Sequence, residues 1–342
     1  MAADRINVAV VGAGAFGRNH ARVYRQLEQA GEAVHLAAVV DVDTARAAAL
    51  ARDSDSGVAA FSDIGEMIAR GGIQAASVAV PTLEHLKVAG QLMSAGIDLL
   101  VEKPLAATLA EADELIRLAQ HHGRVVQVGH LERFNPAVQA TLPLVTRPMF
   151  FEVHRLSVFS SRSLDIDVVL DLMIHDLDIV LTLANSPLVE VRAVGLPILS
   201  SRVDIANVRL EFGSGCVANL TASRVSTERV RKLRFFQPRQ YVSVDYSRQD
   251  VLVFTVAGDA SGLGSAVPGA PGSPIQVAKP AVQAQEPLQA ELRAFLQAVG
   301  RRSRPVVPLE DGRRALAAAL QIQAAMREHS RKVNLEGLGG GA

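Results

Sequence analysis

Short apolar runs alternate with amphipathic segments through the first 130 residues. Ile6–Val11 and the runs at 36–40, 75–80, 99–101 and 125–128 are apolar almost throughout. That pattern predicts strands of a parallel sheet covered by helices on both faces. The intervening segments read as helices at 18–30, 44–52 and 84–95, the last stopped by Gly96. Asp63 with Glu66 forms a capping-box pattern for a further helix ended by Gly71, and Thr108 with Glu111 forms another for a helix closing near Gly123. Alternation of strand and helix at this spacing predicts a doubly wound α/β domain.

After Pro136 the pattern changes. Phe150–Val158 reads as a strand, 168–183 as a helix, and 189–256 as several strands divided by turn signals at Gly213, Gly215 and Pro238. The prediction is an α+β domain on an open, largely antiparallel sheet. Residues 258–274 are rich in Gly, Ala, Ser and Pro and read as a mobile surface loop. Helices at 287–299 and 309–328 follow, then a glycine-rich tail. The expected division is therefore 1–130, 131–336 and a flexible tail at 337–342. The helix at 309–328 is free to pack back on the first domain.

Composition narrows the class without changing this picture. The 342 residues exceed one ordinary core, and half of them are apolar. Thirty-five basic residues balance thirty-five acidic ones, so nothing in the overall charge draws the chain to nucleic acid or anionic membrane. The single cysteine, Cys216, has no disulfide partner and no metal-site spacing, and reads as a small buried hydrophobe; no metal is expected. The N-terminus lacks the pattern of a signal peptide, and no run is long enough to span a bilayer, so the expected location is the cytoplasm.

Gly12-Ala13-Gly14-Ala15-Phe16-Gly17 is a GxGxxG between the first strand and the first helix, the context that a dinucleotide fold of the Rossmann type requires. Gly12 suits the tight turn, Gly14 a close approach to pyrophosphate, and Gly17 close packing of helix on strand. Asp41 ends the second strand, 24 residues beyond Gly17, where a carboxylate can accept hydrogen bonds from the adenosine ribose. A 2′-phosphate would be repelled there, which favours NAD over NADP. Asp43 is the competing reader, either acid could instead cap the next helix, and Arg46 leaves room for NADP.

Glu102-Lys103-Pro104 follows the fourth of these strands, so Lys103 stands beyond a carboxyl end, where ligands bind in open α/β sheets. The bland alternative is a surface Glu-Lys pair before a turn. Asp171 and His175 are i and i+4 in an otherwise apolar helix, with Asp176 and with Asp178 three residues beyond His175. Ionisable groups on such a stripe are paired or functional, and histidine suits proton transfer near neutral pH. A satisfied core histidine is the alternative.

Together these motifs resemble the glucose–fructose oxidoreductase and inositol dehydrogenase (Gfo/Idh/MocA) family. The resemblance runs through AVVGAGAFGRNHA at 9–21, VVDVD at 39–43, VPTLEHLKVAGQLMSAGIDLLVEKPLA at 80–106, DLMIHDLD at 171–178 and DGRRALAAALQIQAAM at 311–326. It implies an NAD-binding Rossmann domain at 1–130 and a substrate-binding, oligomerising domain at 131–336. It further implies that Lys103, Asp171 and His175 are the catalytic residues, meeting over the nicotinamide. Gly12, Gly14, Ala15, Phe16, Gly17, Asp41, Pro81, His85, Glu102 and Lys103 become the candidate cofactor contacts. Met173 departs from the small residue common in the family, which bears on the shape of the substrate pocket.

A narrower similarity lies in VGHLERFNPA at 128–137, the stretch at 152–180 and RVSTERVRKLRFFQP at 224–238. It resembles the branch that oxidises the 3-hydroxyl of UDP-N-acetylglucosamine, upstream of a pyridoxal-phosphate aminotransferase in lipid A precursor synthesis. Arg133, Asn135, Arg162, Asp171 and His175 are then the candidate substrate contacts. Arg155 and Arg162, with the arginines between Arg224 and Arg239, suit a diphosphate; at least half of those arginines are expected to be solvated on a sheet face. A homodimer or homotetramer through the second domain's sheet is implied. The alternatives are a dehydrogenase of a free polyol or inositol and a non-catalytic dinucleotide-responsive binding protein.

Overall fold

The structure, a computed structural model, describes residues 5–54, 57–159, 166–257, 267–270 and 272–333. In chain order the first elements are β1 (Ile6–Val11), α1 (Ala15–Gln29), β2 (Val34–Val40), α2 (Thr44–Ser54), β3 (Ala59–Phe61), α3 (Ile64–Arg70), β4 (Ala75–Val78), α4 (His85–Ser94), β5 (Asp98–Glu102), α5 (Leu109–His122) and β6 (Val126–Gly129). Next come α6 (Pro136–Thr141), β7 (Phe150–Val158), a π turn over Val169–Met173, α7 (Ile174–Ala184) and β8 (Leu188–Leu196). The remaining elements are β9 (Ile205–Phe212), β10 (Val217–Ser226), β11 (Val230–Gln237), β12 (Gln240–Asp245), β13 (Asp250–Val256), β14 (Ile275–Ala278), α8 (Pro287–Arg301) and α9 (Leu309–Lys332).

β1–β6 form one parallel sheet in the order β3-β2-β1-β4-β5-β6. Strand order reverses between β1 and β4, which opens a crevice beyond their carboxyl ends. Both predicted caps are present, one as a simple N-cap and one as a full capping box. Asp63 accepts N–H bonds from Gly65 and Glu66, and Thr108 with Glu111 completes a reciprocal capping box. The three-residue β3 has no expectation behind it, since Ala-Ala-Phe carries no periodicity.

The chain divides into two compact units, Met1–Phe134 with Glu286–Leu316, and Asn135–Gln285 with Ala317–Ala342. This differs from the expected single boundary at 130. The reason lies in α8. Leu288, Leu292 and Phe295 recur at i, i+4 and i+7 and close over the same core as Val8, Tyr24, Leu27, Leu36 and Val39. Leu292 and Phe295 are fully buried, each stabilising the first unit by about 2 kcal/mol. Val128 N–H also donates to Val307 O at 2.9 Å.

The second unit is an eight-stranded sheet in the order β14-β13-β12-β11-β7-β10-β9-β8. All neighbours are antiparallel except β7 and β10, which are parallel. Phe151, Val153, Leu220, Phe235, Val242 and Val253 alternate onto its buried face. On the other face Phe150, Phe236, Tyr241 and Phe254 form an aromatic ladder, with successive centroids 5.7, 4.9 and 5.5 Å apart. Cys216 is buried, as expected, and burial pushes its thiol up to about 11. Most of the stretch 258–274 and all of the tail at 337–342 lie outside the described residues.

Candidate active site

In the first unit the glycine-rich turn enters α1 directly after Gly14, so the helix begins inside the motif rather than at 18 as the periodicity suggests. Gly12 has φ +98°, and an added Cβ there would lie 2.5 Å from Ala79 O. A Cβ on Gly17 would collide with the Gly12 carbonyl, which is the close helix–strand approach. A Cβ on Gly14 would meet nothing within 4 Å. That open space lies against a helix start that no side chain caps, a fit for a pyrophosphate. Ala15 and Phe16 are exposed there, and Pro81 is exposed at the end of the loop after β4.

The two candidate ribose acids separate cleanly. Asp43 Oδ1 accepts the N–H groups of Ala45 and Arg46 at 3.1 Å, and its other oxygen pairs with Arg46 Nε at 3.0 Å. Asp43 is therefore the helix cap, and Arg46 is engaged by it. Asp41 accepts the N–H of Ala13 at 2.6 Å and that of Asp43 at 2.9 Å, joining the end of β2 to the glycine turn. Its half-exposed carboxylate is the one at the crevice.

Lys103 is half-buried at the end of β5, and Pro104 follows it. Glu102 is buried: Oε1 lies 2.9 Å from His20 Nε2, and Oε2 accepts the Lys103 N–H at 3.3 Å. An added Cβ at Gly129 would come within 3.0 Å of the Glu102 carboxylate, so the neighbouring strand makes room for it. Glu102 thus anchors the lysine's backbone from below. His85 is turned inward in the same way. It is buried, with Nδ1 3.1 Å from Leu105 O and Nε2 3.1 Å from Val80 O, and burial lowers its pKa. It ties the loop after β4 to the segment after Lys103.

In the second unit the DxxxH pair begins inside the π turn over Val169–Met173, which holds Asp171, and ends in α7 with His175, where the periodicity predicts a plain α-helix. Such turns concentrate at functional sites. Asp171 and His175 are half-exposed, as are Leu170 and Leu172, while Met173, Ile174, Asp176, Leu177 and Asp178 are buried, so the pair emerges from a largely buried helix. Asp178, three residues beyond His175, is buried rather than half-exposed. Asp176 is held by Arg155, with Nε–Oδ2 at 2.5 Å and Nη2–Oδ1 at 2.9 Å.

The basic residues expected at a diphosphate are mostly committed elsewhere. Arg155 is the buried partner of Asp176. Arg224 lies 3.6 Å from Asp204 and donates to Ile166 O. Burial would raise the Asp204 pKa, but the N–H groups of Leu199, Ile198 and Ser200 bring it to about 2. Arg234 pairs with Glu152 at 2.9 Å, and Arg239 donates to Val256 O at 3.1 Å. Arg133 is buried against Asp311 at 3.0 Å, and Asn135 caps α6 and donates to Tyr246 O at 3.0 Å. Both therefore also serve as structural ties within their own units. Arg162 lies outside the described residues. Among the described residues no group of His, Cys, Asp and Glu is placed to hold a metal ion, and no helix is long and apolar enough to cross a membrane.

Residues 6–130 match the family described as "Oxidoreductase family, NAD-binding Rossmann fold", and residues 147–241 match the GFO/IDH/MocA C-terminal domain. The chain is 37% identical over 325 residues to the UDP-N-acetylglucosamine 3-dehydrogenase of Acidithiobacillus ferrooxidans, covering 94% of this chain and 97% of that one. An inositol 2-dehydrogenase of Corynebacterium glutamicum is 31% identical, over 54% of this chain and 56% of its own. The solved structure of the A. ferrooxidans enzyme superposes with a TM-score of 0.83 at 34% identity, over 94% of this chain and 97% of that one. Levoglucosan dehydrogenase in complex with NADH shares the fold, with a TM-score of 0.81 at 17% identity over 95% of this chain and 98% of that one.

Proposed function

Because the chain belongs to the Gfo/Idh/MocA family of NAD-binding oxidoreductases, we propose that it oxidises the 3-hydroxyl of UDP-N-acetylglucosamine to a ketone. The observation that carries this reading is the extent of the match. The relative named for that reaction aligns along 94% of this chain, whereas the inositol 2-dehydrogenase of C. glutamicum aligns along 54%.

NAD, when bound, supplies the hydride acceptor for the carbinol carbon. The Gly12–Gly17 turn and the start of α1 hold its pyrophosphate, Asp41 its adenosine ribose, and Pro81 lines the crevice. His175 accepts the proton of the reacting hydroxyl. Lys103 donates a hydrogen bond to the same oxygen and offsets the negative charge that develops there. Asp171 orients the imidazole or a neighbouring hydroxyl. Glu102 and His85 act one layer back, fixing the backbone that carries Lys103.

The half-exposed aromatic ladder on the second unit's sheet supports a homodimer or homotetramer formed through that face. The ketone product calls for a pyridoxal-phosphate aminotransferase as the next enzyme, on the route to a lipid A precursor, with both enzymes in the cytoplasm.

The deciding experiment compares NADH formation with UDP-N-acetylglucosamine, free N-acetylglucosamine and myo-inositol. The first is coupled to an aminotransferase that draws off the ketone. The nucleotide sugar is expected to turn over fastest. Faster turnover of the free sugar or of inositol overturns the substrate assignment and leaves the oxidoreductase standing.

A further inference from the structure

The Arg155–Asp176 pair stands where an apolar contact is expected. Phe151, Val153 and Arg155 share the buried face of β7, and Asp176 lies on α7 between Ile174 and Leu177, which are also buried. Both charged side chains are 2% exposed. Removing two ions from water costs about as much as their attraction returns, so such a pair adds little to stability beyond what a well-packed apolar pair would. It does impose geometry. A guanidinium fork against a carboxylate fixes distance, plane and direction at once. The fork is held from a further side, since Arg155 Cζ lies 5.3 Å from the centre of the Tyr246 ring. Tyr246 O accepts the Asn135 side chain at 3.0 Å.

This geometry is applied next to the one irregular turn of the helix. A π turn inserts a residue relative to the α repeat, so the angular phase of the residues beyond it is not set by the helix alone. Here both flanks are pinned. Before the turn, Asp167 Oδ1 accepts the N–H groups of Val169 at 2.9 Å and Leu170 at 3.1 Å, and its other oxygen accepts the Gln323 side chain. After it, Asp176 is locked to Arg155. Asp171 and His175, the two half-exposed ionisable residues, fall between the pins.

We infer that Arg155 and Asp176 are positioning residues, whose bidentate pair sets the rotation of α7 after the π turn so that Asp171 and His175 emerge together. The inference rests on the proposed role of His175, and the test separates the two. The Arg155→Met/Asp176→Leu variant removes both charges and keeps the volume. Its thermal midpoint and NAD affinity should stay near wild type, while kcat falls roughly 10- to 100-fold, as expected when a reacting group is displaced by about 1 Å. Arg155→Lys keeps the charge but loses the fork, so it should also lose kcat in a folded protein. Introduced into His175→Ala, the double change should cost little more, because it acts through a group already gone. Wild-type kcat in the folded double variant and in Arg155→Lys overturns the inference while leaving His175 in place. A loss that multiplies in the His175→Ala background also overturns it, because it marks general damage. Wild-type turnover in His175→Ala alone removes the catalytic reading, and the positioning role with it.

Discussion

Glu291 is the buried group with the clearest measurable consequence. It lies on the core-facing stripe of α8 between Leu288 and Leu292 and is completely buried. Its surroundings include Tyr24 from α1, Glu102 from β5 and Gln127 from β6, and α8 packs on the turn over Leu131–Phe134. Burial and the charge of Glu102 push its carboxyl well above the usual range, because two carboxylates cannot both ionise cheaply in one dry volume. The folded protein therefore keeps a proton that the unfolded chain releases. Below the unfolded carboxyl pKa both states hold it and there is no penalty. As pH rises from there to the folded pKa, the unfolded state gains and stability falls, levelling off above the folded pKa. One proton gives a slope of about 1.4 kcal/mol per pH unit inside that window, a large fraction of the 5–15 kcal/mol typical of a domain.

Glu291→Gln keeps the shape and removes the titration. The assay is denaturant unfolding of wild type and Glu291→Gln at about pH 5.5, 6.5 and 7.5, with the difference taken at each pH so that all other titrations cancel. The variant should gain on wild type by about 1.4 kcal/mol for each unit of pH until the curve flattens at the folded pKa. Parallel stability curves across the range would refute the assignment of a proton to Glu291.

Lys103→Ala should lower turnover by about 10²–10⁴-fold with NAD affinity nearly unchanged, which isothermal titration and initial rates check together. Asp41→Ala should weaken NAD binding and narrow its preference over NADP; tighter NADP binding by the wild type would mean that the end of β2 reads the 2′ position differently. Phe236→Asp places a charge in the aromatic ladder of the second unit and should shift the protein to a smaller species in light scattering, with the folded signal kept.

Local interactions decide how much of this fold is legible in the sequence. The first unit's strands other than β3, the helix caps at Asp63 and Thr108 and the glycine turn are set by neighbours within a few residues, and each is found in place, although only Thr108 with Glu111 closes a full capping box. Phe150–Val158 and the antiparallel strands after it are likewise marked by alternation. The parallel pairing of β7 with β10 is not, because it joins residues more than sixty positions apart. Nor does the sequence mark where α8 belongs, since its apolar stripe suits either sheet. The π turn is invisible there because Val169–Met173 is a good α-helical sequence. Only the tie of Asp167 before it and Asp176 after it distinguishes the turn.

The charged residues that the structure buries share a physical cause that is visible in the chain. The chemistry of arginine marks it as a partner for phosphate, but its strand position decides which way it faces. In β7 the alternation Phe151, Val153, Arg155 puts that arginine inside, and the burial of Asp176 among Ile174, Leu177 and Ile179 puts that acid inside. Neither ion can be left alone in an apolar core. Two opposite charges at inward phases of elements that pack together must therefore find each other, and a ligand phosphate is not needed to explain either. The same reasoning applies to Glu102 and His20, which face each other from the end of a buried strand and the inner side of the first helix. Asp171 and His175 differ in being half-exposed on a helix whose other charged residues turn inward. Position relative to the core, rather than residue type, separates the ionisable groups left open to a ligand from those satisfied within the protein.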